Sequence, residues 1–516
     1  MYNNAPFASW VPKPLMLLLI ILFLFPIIGI MGVYTGNTTD ISGALAVFPE
    51  YITFANNAST IGMAMAMLIV FRVKMRFRSK EIIATCAILL AGLSYMNGTT
   101  DNPLVIIIGS FLIGFFKMFP LIEMILPVMF ILSPKGDRGR FYALFYPLTI
   151  CFGQWSSYYM SSMVFEGNWQ APYFLMSIAM LVIAACSLIF QHNQRFSFKK
   201  PLYQIDWFSM LLLTASAMAF NYGFAFLKQQ AWFTSPYIVG SFILGIVLFV
   251  LTVYRQRFLK RNMINFSIFY KLENVRHSLI LLLLLGLHLA SSSIYVQYSV
   301  GVLGYTNLIN TQTNLWMIPG IILAGAMAFF GFKNKWPLKY YIAAGFISFF
   351  LHNLSLYFLI QPQMDIQYLH YSMVLKGLGM GILFIGIWFY ASQNISMEDL
   401  FGVNSILVMV RTFIAVALGS SIIGWASYQS QWQSLNDISM YLDTGNFAEG
   451  MSLYGPMQMN ALMASSKIVL GTLCWMIIPI LVFVLSHSYG QFNFRRVVFL
   501  RKIIKGNSVK GYKFSV

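Results

Sequence analysis

Charge is what this sequence has least of. Only 9% of its 516 residues are Asp, Glu, Lys or Arg, where a soluble chain carries about 25%. So few charges cannot cover a water-facing surface, which excludes a secreted, cytosolic or disordered protein. Acids are the scarcer sign, 15 against 33 bases, leaving a net charge of +18. In a soluble protein that excess would suggest nucleic acid. Here no nucleic-acid partner is expected, because the charge has to be judged by the side of a membrane on which it falls. Cysteine is rare too. Cys86, Cys151, Cys186 and Cys474 each stand alone in an apolar run, with no metal-ligand or redox spacing, and are expected to be small buried apolar residues. There is no phosphate-cradling loop, no paired zinc motif, no histidine cluster and no catalytic constellation. The expectation is therefore a protein that is not an enzyme, holds no cofactor or metal, and is not itself an ATP-driven pump.

What the chain has in abundance is apolar length: 59% hydrophobic residues, 17% aromatic and a mean hydropathy of +0.72. A helix needs roughly 20 apolar residues to cross the hydrocarbon core. Fourteen such runs are predicted, at 15–36, 48–71, 82–97, 104–132, 141–164, 170–190, 207–227, 235–254, 277–300, 313–332, 340–360, 368–391, 403–428 and 467–488. Residues 37–48 are apolar enough to join either of the first two. No signal-peptide cleavage site follows the first run, so it counts as a span. The prediction is an all-α polytopic membrane protein. The longest stretch outside the spans, 429–466, is polar and is expected to lie outside, with Trp432, Leu435, Ile438, Met440 and Tyr441 on a surface helix.

Basic residues orient this count. An even number of spans puts both termini on one side. If that side is the cytoplasm, the inner segments hold every Lys and Arg except Lys228 and Lys467, outside, and Lys117, Lys376 and Arg411, within spans. Such asymmetry is the positive-inside pattern. It predicts an inner-membrane protein with cytoplasmic termini facing an anionic inner leaflet. Residues 492–513 alternate Arg495, Arg496, Arg501, Lys502 and Lys505 with apolar residues. They read either as an amphipathic helix on that leaflet or as a disordered basic tail.

Several weak motifs occur in order. Pro134-Lys-Gly-Asp-Arg-Gly-Arg140 follows span four, Asn168-Trp-Gln-Ala-Pro-Tyr-Phe174 follows span five, and Ile205-Asp-Trp-Phe208 opens span seven, which Gln230-Ala-Trp232 closes. Span nine ends in Tyr295-Val-Gln-Tyr-Ser-Val-Gly-Val-Leu-Gly-Tyr305, Pro319 lies in span ten, Lys376-Gly-Leu-Gly-Met-Gly381 in span twelve, and Arg411 with Gly419 in span thirteen. With the matching span count, the series resembles the 14-span branch of the major facilitator superfamily, the EmrB/QacA-type drug:proton antiporters. The resemblance implies two six-helix bundles at 1–190 and 263–490. Between them would lie a linker with two inserted helices at 191–262, and residues 491–516 would be a basic cytoplasmic tail. It implies rocking about a central site between pseudo-symmetric halves, protons and a small molecule as the transported species, and, in a two-membrane bacterium, a periplasmic adaptor and outer-membrane channel as partners. Two motifs depart from the family. Phe71-Arg-Val-Lys-Met-Arg-Phe-Arg-Ser-Lys80 keeps the bases of the loop after span two but lacks its Asp and glycines. Ser156-Ser-Tyr-Tyr-Met-Ser-Ser162 stands where span five usually has a Gly-Pro run.

Ionisable groups inside a membrane cost a few kcal/mol each and usually face a cavity. Glu123, well inside span four, is the first candidate for proton coupling, with Lys117 near enough in sequence to influence it. Asp40 is the second, since it keeps the family's nine-residue spacing from a proline, here Pro49. Glu50, at the outer end of span two, is the third. Candidate substrate contacts are Lys117, Lys376, Arg411, His288 and Gln297, of which Lys376, Arg411 and Gln297 match family positions. Each cation could instead brace helices. The expected function is proton-coupled export of hydrophobic or amphipathic small molecules. The alternatives are an importer or specific metabolite exporter and, disfavoured by the missing catalytic motifs, a membrane-embedded enzyme or sensor.

Overall fold

The computed structural model describes residues 7–132, 138–193, 201–259, 262–393, 395, 397–440 and 447–492. The expected amphipathic tail lies outside these residues from 493 onward, as does most of the Pro134–Arg140 motif.

Among the described residues the chain is helical. In the first half lie α1 (Lys13–Gly29), α2 (Thr38–Ala44), α3 (Pro49–Arg76), α4 (Ser79–Thr99), α5 (Pro103–Leu132), α6 (Arg138–Glu166) and α7 (Ala171–Phe190). Then come α8 (Trp207–Phe226), α9 (Pro236–Phe258) and the short α10 (Ser267–Lys271). The second half holds α11 (Glu273–Ala290), α12 (Ser292–Gly301), α13 (Asn307–Asn314), α14 (Met317–Asn334), α15 (Leu338–Leu359), α16 (Ile366–Ala391), α17 (Met397–Met409), α18 (Ala415–Ser439) and α19 (Phe447–Ser486). Proline opens many of them. Pro49, Pro103 and Pro236 are first helical residues and Pro172 is a second, positions where the missing N–H costs nothing and the fixed φ is already helical.

Twelve helices among the described residues are long and apolar enough to cross a membrane. The expected fourteen therefore falls to twelve by that measure, and the two shortfalls have different causes. Helix α1 has only 17 residues, at the lower end of the roughly 17–25 that span a bilayer. Helix α6 has 29, but Pro147, Gln154 and the serines at 156, 157, 161 and 162 dilute its apolar character. Residues 37–48 extend neither of the first two runs; α2 lies there instead. The ninth run breaks at Ser291, between α11 and α12. The thirteenth passes through a π-helical turn at Val410–Ile414. The expected surface helix in 429–466 does not form as such. Helix α18 continues to Ser439, and α19 starts at Phe447 and runs 40 residues.

Two helix pairs show how each half is built. In the first half α3 packs on α5 with Gly114 against Ser59 and Gly62 against Phe111; a Cβ on either glycine would sit 1.8 Å or 2.1 Å from a backbone carbonyl oxygen. In the second half α14 packs on α16 with Gly320 against Val374 and Gly377 against Met317, both at 2.1 Å by the same measure. With no hydrophobic force between helices in lipid, small residues that allow backbones to touch supply the van der Waals contact. Helices α8 and α9 pack against each other and lie to the side. Only 17% of α9's span is buried, against 78% of α16's. Asn221 joins α8 to α3, sharing a 2.9 Å hydrogen bond with Asn57 and donating to the Phe54 carbonyl at 2.9 Å.

Candidate functional site

The two halves meet around a central cavity and close on each other at both ends. At the far end from the termini, Asn307 donates to the Thr39 hydroxyl. There Gly36 lies so close to Thr311 that a Cβ would meet its methyl at 2.9 Å. At the termini end, Phe71 stacks on Phe401 with ring centroids 5.3 Å apart. Ser405 donates to the Ala64 carbonyl at 2.6 Å, and Gly139 abuts the Phe332 ring.

Two adjoining pockets of about 280 and 220 Å³ make up the cavity, sharing Gln154 and Asn314. The first is walled by Met31 and Tyr34 beyond α1 and by Ser156 and Ser157 of α6. The second is walled by Leu289, Tyr295, Met317 and Met380, with Lys376. The serine run that diluted α6 therefore has a position that explains it. Gly29 presses on Ser156, where a Cβ would meet the hydroxyl oxygen at 2.7 Å, so small polar residues here let α1 approach α6 and face the cavity.

The structure separates the candidate residues. Lys376 lines the cavity, is 6% exposed, and has no hydrogen bond or ion pair among the described residues. Glu123 is 3% exposed and away from the cavity lining. Its partner is Lys74, not Lys117: the Lys74 ammonium donates to Glu123 Oε2 at 2.6 Å, and the Ser79 hydroxyl donates to the same oxygen at 2.7 Å. Lys117 instead donates to the carbonyls of Ile28 and Ile30, at 2.8 and 2.6 Å. It thus caps the C-terminus of α1, the end where a helix dipole favours a cation. Arg411 rests its guanidinium over Phe384 and Trp388, 4.8 and 5.4 Å from the ring centroids, with no ion pair among the described residues. Gln297 is exposed on α12, about 200° around the helix from Tyr295, which lines the cavity, so the expected cavity contact is not made. Asp40 is exposed on α2, and Glu50 is half-buried at the start of α3.

His288 is fully buried rather than cavity-facing. Its Nδ1 lies 3.4 Å from the Asn353 amide, it stacks near Phe349, and its Nε2 has no partner. His352, on the same helix as Asn353, places its Nδ1 2.9 Å from both the carbonyl and the hydroxyl of Ser372, one turn before Lys376.

One cluster escaped the sequence reading, which found no grouping of histidines. Glu273, His277 and His487 place ligand atoms within 4.8 Å of one another, joined by the packing of α11 on the end of α19. The two rings stack 3.8 Å apart at 15°. Their lone pairs lie in near-parallel planes and cannot converge on one ion in this arrangement. Tyr390 bonds His487 Nε2 at 2.8 Å. Burial, and then the neighbouring His277, hold His487 below its usual range, against the opposing pull of Glu273.

No protein-family model matches the chain. The chain is 28% identical, over 129 residues, to YcnB of Bacillus subtilis (strain 168), an uncharacterized MFS-type transporter; the match covers 24% of this chain and 26% of that protein. It thus spans about a quarter of the length of that curated relative. Similar solved structures share the architecture over nearly their whole length. They include the nucleoside transporter NupG (TM-score 0.53, 13% identity, covering 92% of this chain and 99% of that one). Tetrameric PepTSo2 scores 0.56 at 11% identity, with 91% and 96% covered. A chain from a study of proton dependent oligopeptide transporters scores 0.55 at 12%, with 91% and 97% covered. The chain shares the fold of these transporters. At these identities the likeness speaks for the fold and leaves the cargo open.

Proposed function

We propose that this protein is a secondary active transporter that exports hydrophobic or amphipathic small molecules in exchange for protons. The observation that carries the reading is the cavity between two helical halves, whose far-end and termini-end contacts involve different residues. A molecule held there can be released to either side by breaking one set of contacts while the other holds. On this reading α1 and α6 also cross, completing fourteen spans. The moving units are residues 1–190 and 263–490, with 191–262 between them. The termini and the basic tail face the cytoplasm across the inner membrane. The 14-span drug:proton antiporters remain the branch with the nearest motif order, and a periplasmic adaptor and outer-membrane channel would extend the route in a two-membrane cell.

Proton coupling falls to Glu123, a buried carboxylate whose protonation would release Lys74 and loosen α3 from α5. Asp40 and Glu50 are the alternates. The serine run in α6, where antiporters usually have Gly-Pro, favours one second reading, an importer on the same fold. Proteoliposomes decide between them. Anionic, neutral and cationic fluorescent amphipaths are offered with the lumen either acid or alkaline. Antiport accumulates cargo in the acid lumen, symport in the alkaline one, and an ionophore abolishes both. Flux of all three kinds of probe that is indifferent to the gradient and equal to that of empty vesicles would remove the transport reading.

A further inference from the structure

Charge inside the membrane-spanning part of this molecule is lopsided. The interior cations Lys117, Lys376 and Arg411 have no carboxylate partner among the described residues, and the one deeply buried acid, Glu123, is taken by Lys74. No carboxylate lines either pocket of the cavity. Lys117 and Arg411 have substitutes, carbonyl oxygens for one and aromatic faces for the other. Lys376 has neither. A buried ammonium without a counter-charge is expensive, and this one faces the cavity, where a counter-charge can arrive with a ligand.

Its position is fixed by backbone contact. Gly377 lets α16 touch the backbone of α14 at Met317, which sets the adjacent Lys376 at the wall where Met317 and Met380 also face the cavity. The same pocket wall carries the amides of Asn314 and Gln154 and the hydroxyl of Ser292, and its apolar side comes from Leu289, Met317 and Met380. One cation, a few neutral polar groups and an apolar wall match a molecule with one anionic head and a hydrophobic body.

We propose that the cavity recognises amphipathic organic carboxylates, with the carboxylate on the Lys376 ammonium and the apolar body against the methionines of α14 and α16. This deepens the transport reading and rests on it for the step of carrying the molecule across. A cationic amphipath would meet Lys376 with like charge, so the same residue excludes it.

The test measures binding to the purified full chain with three probes that share one ring system: 2-naphthoate, 2-naphthol and 2-naphthylmethylammonium. The expected order is naphthoate tightest, by at least tenfold over naphthol, with the ammonium weakest. K376M should lose that tenfold advantage while leaving naphthol binding unchanged, and K376R should retain most of it. Gel filtration and thermal unfolding show which variants are folded; if K376M is not, K376Q is used with the same expectation. Naphthoate binding no tighter than naphthol binding, including binding of neither, overturns the proposal, as does a folded K376M or K376Q with naphthoate affinity within twofold of wild type. Gradient-driven flux of a neutral or cationic probe without naphthoate binding would sink the carboxylate site and leave transport standing. Naphthoate binding that depends on Lys376 without gradient-driven flux of any probe would do the reverse.

Discussion

Among single residues, the pairing of Glu123 decides most. From sequence it was a lone acid in an apolar run with Lys117 six positions away. Lys74 was one of the basic residues assigned to the inner side after span two. The structure buries both Lys74 and Glu123 and bonds them at 2.6 Å. Removing one member of a buried pair leaves an uncompensated charge, at about 3–5 kcal/mol, whereas removing both is often close to neutral. Lys74→Met is therefore expected to lower thermal stability sharply. The double variant K74M/E123Q should recover most of the loss while still failing to couple flux to a proton gradient. If the double variant unfolds as readily as K74M and pumps at the wild-type rate, the pair is neither a matched charge pair nor the coupling site.

At the scale of helices, two contacts can be tested. Gly377 and Gly92 look alike in sequence, both glycines inside apolar helices. A Cβ at Gly377 would meet the Met317 carbonyl oxygen at 2.1 Å, while one at Gly92 meets nothing within 4 Å. Gly377→Ala should therefore destabilise, by about 1–3 kcal/mol as overpacking does, and displace Lys376 with it. Gly92→Ala should hold or raise the melting temperature, since alanine is the better helix former by about 1 kcal/mol. The second contact is the clamp on α8 and α9. Asp206 caps α8, accepting from the Ser209 N–H at 3.2 Å, and takes Arg255 at 3.2 Å and Gln256 at 3.0 Å from α9. Burial alone would raise its carboxyl, but the Ser209 and Arg255 bonds outweigh it and hold the group below its ordinary 3.8. A folded-state value below the unfolded one contributes stability that is full above about pH 4 and is lost as pH falls through the lowered value. Protection of the α8 and α9 amides, taken relative to the intrinsic exchange rate at each pH, should fall on that acid side, and Asp206→Asn should lower it at neutral pH with the acid step gone.

For the molecule as a whole, the closure of both ends makes a prediction about movement. Thr39 and Asn307 touch across the far end, and they come from different halves. Cysteines placed there, as T39C with N307C, should cross-link under oxidation. The cross-linked protein should bind cargo no differently from one side but stop all flux, with reductant restoring it. Undiminished gradient-driven flux in the cross-linked protein would show that the halves do not separate at that end.

Composition and run length were enough to determine that this is a helical membrane protein, because a charge content of 9% leaves no other surface and hydrocarbon thickness sets the length of a run. Twelve of the fourteen runs reappear as long apolar helices. The two that fall short, α1 by length and α6 by hydropathy, border the cavity, where α6 surrenders apolar character to line a polar space. Lys376 was legible as a site candidate since an ionisable group in a span is costly wherever it sits. What covers each charge was not legible. Lys74 meets Glu123, Lys117 meets the end of α1, and His277 meets His487 only through contacts between residues far apart in the chain. Which cation remains bare, and so faces the cavity, is a property of those pairings, and tertiary structure alone makes them.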